Sequence, residues 1–139
     1  MPLFGKRKSA VRPVPQQQTV DQRALEEAQS DFSAGFKTWL DGVARAQAET
    51  GGSSLSHEIL DRVGAVPQPQ GSTTLNRTQL IFLRSYARTY ATRMVEHHRT
   101  TAVVAAAEAE RDGAEHSLQL QIAAEYWDTV EAYVVQMLA

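Results

Sequence analysis

Cysteine is absent from this sequence of 139 residues. A chain without cysteine forms no disulfide bond and offers no thiolate to a metal, so nothing in it requires an oxidising compartment. Long apolar runs are also missing: no stretch approaches the roughly 18 residues of a membrane-spanning helix, and no signal-peptide segment follows the basic start. We therefore expect a cytoplasmic protein without a transmembrane segment, or part of a virion if the chain derives from a phage.

Basic residues are few and unevenly placed. No Lys or Arg follows Arg111, whereas Lys6, Arg7, Lys8 and Arg12 all lie within the first twelve residues. The rest of the chain then holds ten basic against sixteen acidic residues, and the net charge of -2 is not that of a general nucleic-acid binder. Arginine outnumbers lysine eleven to three and alanine is abundant, a bias of GC-rich coding that points to a bacterial or phage source.

Sequence motifs of catalysis, phosphate binding and metal binding are missing as well. There is no G-x-S-x-G, G-x-x-x-x-G-K or G-x-G-x-x-G pattern, and the serines before the second predicted helix lie at cap positions. His97 and His98 are adjacent and would point about 100° apart on a helix, while His57 and His116 belong to no metal-binding spacing. We therefore expect no enzyme, no cofactor and no metal site.

Hydrophobic periodicity predicts helices in the first half of the chain. From Leu25 to Val43 the larger apolar residues recur at steps of three and four, which indicates a helix over about residues 20–49, capped at Thr19. A short helix is expected from Ser54 to Gly64. The Pro- and Gly-rich stretch 65–73 reads as a loop.

The second half predicts two long helices. No Gly or Pro occurs between Leu75 and Gly113, so a helix over about 75–111 would extend about 55 Å, and we expect a bend or loosening at residues 97–101. Its cap candidates are Thr73 and Thr74. A helix over about 114–138 follows after a short connection, which makes the two an antiparallel αα-hairpin.

The predicted fold is therefore an all-α small helical bundle of three long helices and one short helix, with a C-terminal αα-hairpin. Residues 19–139 form a single helical domain, and residues 1–18, rich in basic residues, Pro and Gln, form a flexible tail. The predicted core consists of Leu25, Phe32, Phe36, Trp39, Leu40, Leu83, Tyr90, Met94, Ile122, Tyr126, Val130, Val134 and Met137.

Four arginines of the third predicted helix share one face. At about 100° per residue they fall within about 60° of one another. This Arg stripe consists of Arg77, Arg84, Arg88 and Arg99. It could bind phosphates, but Tyr86 and Tyr90, the aromatic residues nearby, lie far round the helix with its apolar residues and are expected in the core instead of against bases.

The alternative interpretation of the Arg stripe is a solvated face, or one that pairs with acidic residues of this chain or of another copy. The last helix carries carboxylates at steps of three, and no basic residue lies beside them. These carboxylates belong to Glu125, Asp128 and Glu131. Exposed ion pairs stabilise by only about 0 to 1 kcal/mol each, so such pairing would select a partner or a register.

The N-terminal tail is a second candidate for contact. Its basic cluster beside two apolar residues could dock on a larger assembly or touch an anionic membrane surface weakly, or it could simply keep the chain in solution. The residues concerned are Leu3, Phe4, Lys6, Arg7 and Lys8. Pro2 excludes N-myristoylation, which would otherwise reinforce membrane attachment.

The chain combines amphipathic helices with segregated charge, and it carries no active-site motif. These features favour a structural or interaction protein. We predict a self-associating adaptor or assembly component of a bacterial or phage multiprotein structure, with a protein partner or a homo-oligomer as its partner. The alternative is a DNA-binding accessory protein that uses the Arg stripe, although helix-turn-helix spacing is absent. A small enzyme whose site assembles only in three dimensions is a third class.

Overall fold

The computed structural model describes residues 16–71 and 74–139, with side chains from residue 22 onward. Within that part of the chain four helices and no strand are present, which confirms the all-α prediction. The helices are α1 (Gln16–Thr50), α2 (His57–Val63), α3 (Arg77–Arg111) and α4 (Ser117–Met137). The tail contact residues Leu3, Phe4, Lys6, Arg7 and Lys8 lie outside the described residues.

The helices begin at residues other than those predicted. α1 already includes Gln16, so it starts ahead of the expected cap at Thr19. α2 starts at His57 because the Ser56 hydroxyl accepts a hydrogen bond from the Ile59 backbone N–H at 3.3 Å. α4 starts only at Ser117, because residues 112–116 form the turn that connects it to α3. Gly113 in this turn has a φ of 68°.

A capping box begins α3 at Asn76, and not at the predicted Thr73 or Thr74. The Asn76 side-chain oxygen accepts a hydrogen bond from the Gln79 backbone N–H at 2.8 Å. In return, the Gln79 side-chain oxygen accepts one from the Asn76 backbone N–H at 2.9 Å. Two N–H groups that the first turn would otherwise leave without partners are thereby satisfied.

We expect Asn76→Ala to lower the free energy of unfolding by about 1 kcal/mol, the usual effect of losing an N-cap side chain. Urea denaturation followed by circular dichroism measures this change. Asn76→Asp is the matched control and should stay near wild type, because a carboxylate accepts the same hydrogen bond at a helix N-terminus. Equal losses in both variants would contradict the capping role.

Helices α3 and α4 form the predicted antiparallel hairpin. Near their connection, Gln121 donates a hydrogen bond to Glu110 at 3.3 Å. Midway, the rings of His98 and Trp127 stack with centroids 4.5 Å apart. At the far end, Arg84 of α3 and Leu138, just after α4, line the same small cleft. Residue numbers thus rise along one helix as they fall along the other.

Helix α1 fills the groove on one side of this hairpin and runs parallel to α3. Ser33 shares a hydrogen bond with Tyr86 at 2.5 Å, and Phe36 meets Tyr90 edge to face with ring centroids 6.2 Å apart. On the α4 side, the Tyr126 hydroxyl donates to the Val43 carbonyl at 2.8 Å. Burial raises the pKa of Tyr126 to about 12, so this hydroxyl keeps its proton.

Helix α2 and the loop after it close one flank of α1. Val63 lies against Gly42, where an added Cβ would meet its methyl group at 3.3 Å. The Trp39 indole N–H donates to the Gly64 carbonyl at 2.8 Å, which fixes the end of α2. Gly42 therefore permits the close approach of α2 to α1.

The predicted core is confirmed except at one position. Eight members are buried, and four, Leu25, Tyr90, Met94 and Ile122, are half-buried. Met137 is exposed, and Leu138 takes its place in the core. The buried ridge of α4 advances in steps of four from Tyr126, so it reaches residue 138, and Met137 falls about 100° away from it. The fully confirmed members are Phe32, Phe36, Trp39, Leu40, Leu83, Tyr126, Val130 and Val134.

We expected a bend or loosening of the helix at residues 97–101, and α3 continues through this stretch without interruption. Poor helix propensity is overridden here by contacts with α4. His98 stacks on Trp127, and Arg99 forms ion pairs with Asp128 and Glu131. Contacts with α4 therefore hold the stretch of α3 that has the poorest helix propensity in a helical conformation.

Candidate interaction surface

Three members of the Arg stripe have free side chains. Arg77, Arg84 and Arg88 are exposed and form no ion pair with any residue that the structure describes. Arg84 and Arg88 border a small cleft beside Leu138 and Ala139, at the end of α4. Their guanidinium groups are therefore available to a ligand or a partner.

Arg99, the fourth member of the stripe, is engaged within the protein. Its Nη1 lies 3.7 Å from Asp128 Oδ1 and its Nε 3.6 Å from Glu131 Oε1. Only 34% of this side chain is exposed, and its Nε is buried without a hydrogen bond. Glu125 is exposed and forms no ion pair in the described part of the chain. The predicted pairing of the stripe with the acidic face thus occurs at one arginine alone.

The stripe lies on the side of the hairpin away from α1. At about 100° per residue, Tyr86 and Tyr90, which contact α1, are about 180° and 220° from Arg77 round α3. On α4, Asp128 lies about 160° from Tyr126, which contacts α1 as well. Helix α1 thus covers one side of the hairpin. On the opposite side no other described helix packs, and only the loop after α2 reaches its edge, where Gln68 borders the cleft of Arg84 and Arg88 and donates a hydrogen bond to the Met137 carbonyl at 2.9 Å.

We call this uncovered side the open face. It includes apolar residues that sequence reasoning did not single out: Ile81, Val103 and Val135 are 57%, 42% and 55% exposed. Ile81 and Val103 lie within about 80° of Arg77 round α3. Val135 follows Glu131 by four residues and Asp128 by seven, so it shares their side of α4. The open face comprises Arg77, Ile81, Arg84, Arg88, Arg99, Val103 and Glu110 of α3 with Asp128, Ala132 and Val135 of α4.

Charge changes sign along the open face. The end near the start of α3 carries the free arginines, whereas the end near the hairpin turn carries the exposed carboxylate of Glu110. The turn beside it adds the exposed carboxylates of Asp112 and Glu115 and one exposed arginine, Arg111, so this end is acidic on balance. Between the two ends, Arg99 lies beside both Asp128 and Glu131. The face is thus basic at one end, acidic at the other, and apolar in patches along its length.

The two adjacent histidines have different surroundings. His98 is half-buried, with its ring stacked at 17° on Trp127, and His97 is exposed. Burial lowers the pKa of His98, the neighbouring His97 lowers it further, and Asp41 of α1 opposes both. No three metal-ligating side chains cluster among the residues that the structure describes.

We expect stability to fall in acid because of His98. Its pKa is lower in the folded protein than the unfolded value of 6.5, so its contribution is complete above pH 6.5. Below pH 6.5 the unfolded chain takes up a proton that the folded protein resists, and the contribution is lost as the pH falls through the folded-state pKa. His98→Phe, which keeps a ring against Trp127, should reduce the difference in melting temperature between pH 7.5 and 5.5. His57→Phe, at an exposed site, should not.

A cleft of about 700 Å³ opens elsewhere, between α1 and the loop that precedes α3. It is lined by Glu27, Asp31, Phe32, Pro67 and Thr74 among others, and no His, Lys or Arg of the described residues borders it. The carboxylates of Glu27 and Asp31 are both exposed. We place the candidate site on the open face, because free arginines and exposed apolar side chains occur together there.

Within residues 16–71 and 74–139, no helix combines the length and the apolar character needed to cross a membrane. Comparison of the chain with models of protein families, with curated proteins and with solved structures gave no match.

Proposed function

We propose that this protein is a non-enzymatic interaction protein that self-associates through the open face. In this proposal it serves as an adaptor or assembly component of a bacterial or phage multiprotein structure, in the cytoplasm or in a virion. One observation carries the proposal: the α3–α4 hairpin is covered by α1 on one side, while its other side combines free arginines with exposed Ile81, Val103 and Val135.

The apolar residues supply the free energy of such an association and the charges supply its selectivity. Burying an exposed Ile or Val side chain fully stabilises a contact by about 1.5–3 kcal/mol. Ion pairs at the rim add little to affinity, but they exclude wrong orientations because like charges repel. A surface that carries both features fits a protein partner better than a small ligand.

DNA binding through the Arg stripe is the second candidate, favoured by the three free guanidinium groups of Arg77, Arg84 and Arg88. Other contacts weigh against it. Asp128 and Glu131 lie beside Arg99 on the same face and would repel phosphates. Tyr86 and Tyr90 are half-buried against α1 and cannot stack on bases.

Charge reversal at the basic end tests the proposal. We expect the double variant Arg84→Glu, Arg88→Glu to lose self-association, measured as molar mass by light scattering over a range of concentrations. The matched control is Arg45→Glu, Arg93→Glu, which changes the net charge equally at two exposed arginines outside the open face and should retain wild-type mass.

A titration of generic duplex DNA separates the two candidates. Tight binding that weakens steeply with salt and disappears in the Arg84→Glu, Arg88→Glu variant would favour the DNA-binding function. If that variant keeps the molar mass of the wild type and the wild type binds no DNA, the proposal that the open face is the interaction surface would be overturned.

A further inference from the structure

We propose that the occupant of the open face is a second copy of this chain, docked antiparallel across a two-fold axis. The inference rests on the proposed self-association and specifies its geometry. Two hairpins would lie face to face, each with α1 on its outer side, and the start of α3 in one copy would lie beside the hairpin turn of the other.

The charge distribution selects this orientation. A two-fold axis that lies in the interface, perpendicular to the helix axes, brings the basic end of each copy, at Arg84 and Arg88, against the acidic end of the other, at Glu110, Asp112 and Glu115. A parallel arrangement would instead place arginines against arginines and carboxylates against carboxylates. Closed two-fold dimers are also the commonest symmetric assemblies, and they need a surface that complements itself, as this one does.

The position of the axis follows from the spacing of the charges. Arg84 and Glu110 are 26 residues apart on α3, about 39 Å at 1.5 Å per residue. If Arg84 of each copy faces Glu110 of the other copy, the two-fold axis passes α3 halfway between these residues. That point is near residue 97, at the level of Arg99. There Arg99 lies beside two carboxylates, those of Asp128 and Glu131, so each copy brings one net negative charge to the centre of the interface.

The side chains near this axis permit close approach. Thr92 of α3 and Ala132 of α4 are small and exposed. The exposed Val135 supplies an apolar contact between the two copies. Helix α3, of 35 residues, is about 52 Å long and α4, of 21 residues, about 32 Å, so at a width of about 9 Å each they present a face of roughly 750 Å². A standard stable interface buries about 800 Å² on each partner, so the open face is close to the area that a dimer needs.

Distances between spin labels test the orientation. Because the chain has no cysteine, Thr78→Cys and Thr100→Cys each provide one labelling site without further changes. Both threonines are exposed on α3, about 100° and 140° round the helix from Arg77, so labels there stay off the open face. Pulsed electron resonance on the full chain then measures the distance between the two copies.

In the antiparallel dimer the two labels at residue 78 are offset by about 57 Å along the helix axis, and those at residue 100 by about 9 Å. We therefore expect a much longer distance for Thr78→Cys than for Thr100→Cys. Equal distances would overturn the inference, because they mean a parallel dimer or a head-to-tail chain. The absence of any distance between copies would overturn the proposed self-association itself, so the two failures are distinguishable.

Discussion

Replacing Phe36 with Ala is expected to lower the free energy of unfolding by about 3–5 kcal/mol, the largest effect of any single change considered. Phe36 has no exposed surface. Its ring lies 5.8 Å from that of Phe32, 5.7 Å from that of Trp39 and 6.2 Å from that of Tyr90. The variant would leave a cavity at the place where α1 meets the hairpin, and it would remove several aromatic contacts at once.

Phe82→Ala is the matched control, because Phe82 is 56% exposed and belongs to neither hydrophobic cluster. We expect it to change stability by less than about 0.5 kcal/mol, as is usual for surface substitutions. Urea denaturation with circular dichroism measures both variants. Proteins unfold with a free energy of about 5–15 kcal/mol in total, so Phe36→Ala should shift the urea midpoint strongly. Similar shifts for the two phenylalanines would refute the account of the core.

Replacing Val135 with Asp is expected to weaken self-association by at least about 100-fold. Val135 is 55% exposed on the open face and lies near the proposed axis. Because both copies contribute the same surface to a two-fold interface, the variant would bring two new carboxylates into it. The loss combines about 1.5–3 kcal/mol of apolar burial per side chain with repulsion between like charges, and each 1.4 kcal/mol corresponds to a tenfold change in Kd. Sedimentation at several concentrations gives the dissociation constant.

Phe82→Asp provides the control for this variant as well. Phe82 is as exposed as Val135, at 56%, but it lies about 140° round α3 from Arg77 and therefore outside the open face. We expect its dissociation constant to stay within about threefold of wild type, that is within about 0.7 kcal/mol. If Phe82→Asp dissociates the protein and Val135→Asp does not, the contact involves another surface.

The helices were predictable from the sequence because their apolar residues recur at helical spacing. Phe32, Phe36 and Leu40, for example, occur at intervals of four and all lie in the core. Helix starts were less predictable, since several cap candidates competed near each one. Asn76 begins α3 in place of the nearby threonines because its side chain and that of Gln79 satisfy each other's backbone N–H groups.

The candidate site was predictable only in part. Periodicity placed the four arginines on one face, but it could not give the register between α3 and α4. That register brings Arg99 to Asp128 and Glu131 and leaves Arg84 without a carboxylate. The exposure of Val135 depends on which side α1 occupies, and no local pattern in the sequence encodes that choice.

The molar mass of the unmodified chain distinguishes the proposed dimer from a monomer. Light scattering at micromolar concentrations, first at low salt and then at high salt, measures that mass without any substitution. We expect twice the chain mass of 15.3 kDa at low salt, with partial dissociation as salt screens the pairing of the two ends. A mass of 15.3 kDa at every concentration and salt level would rule out self-association through the open face.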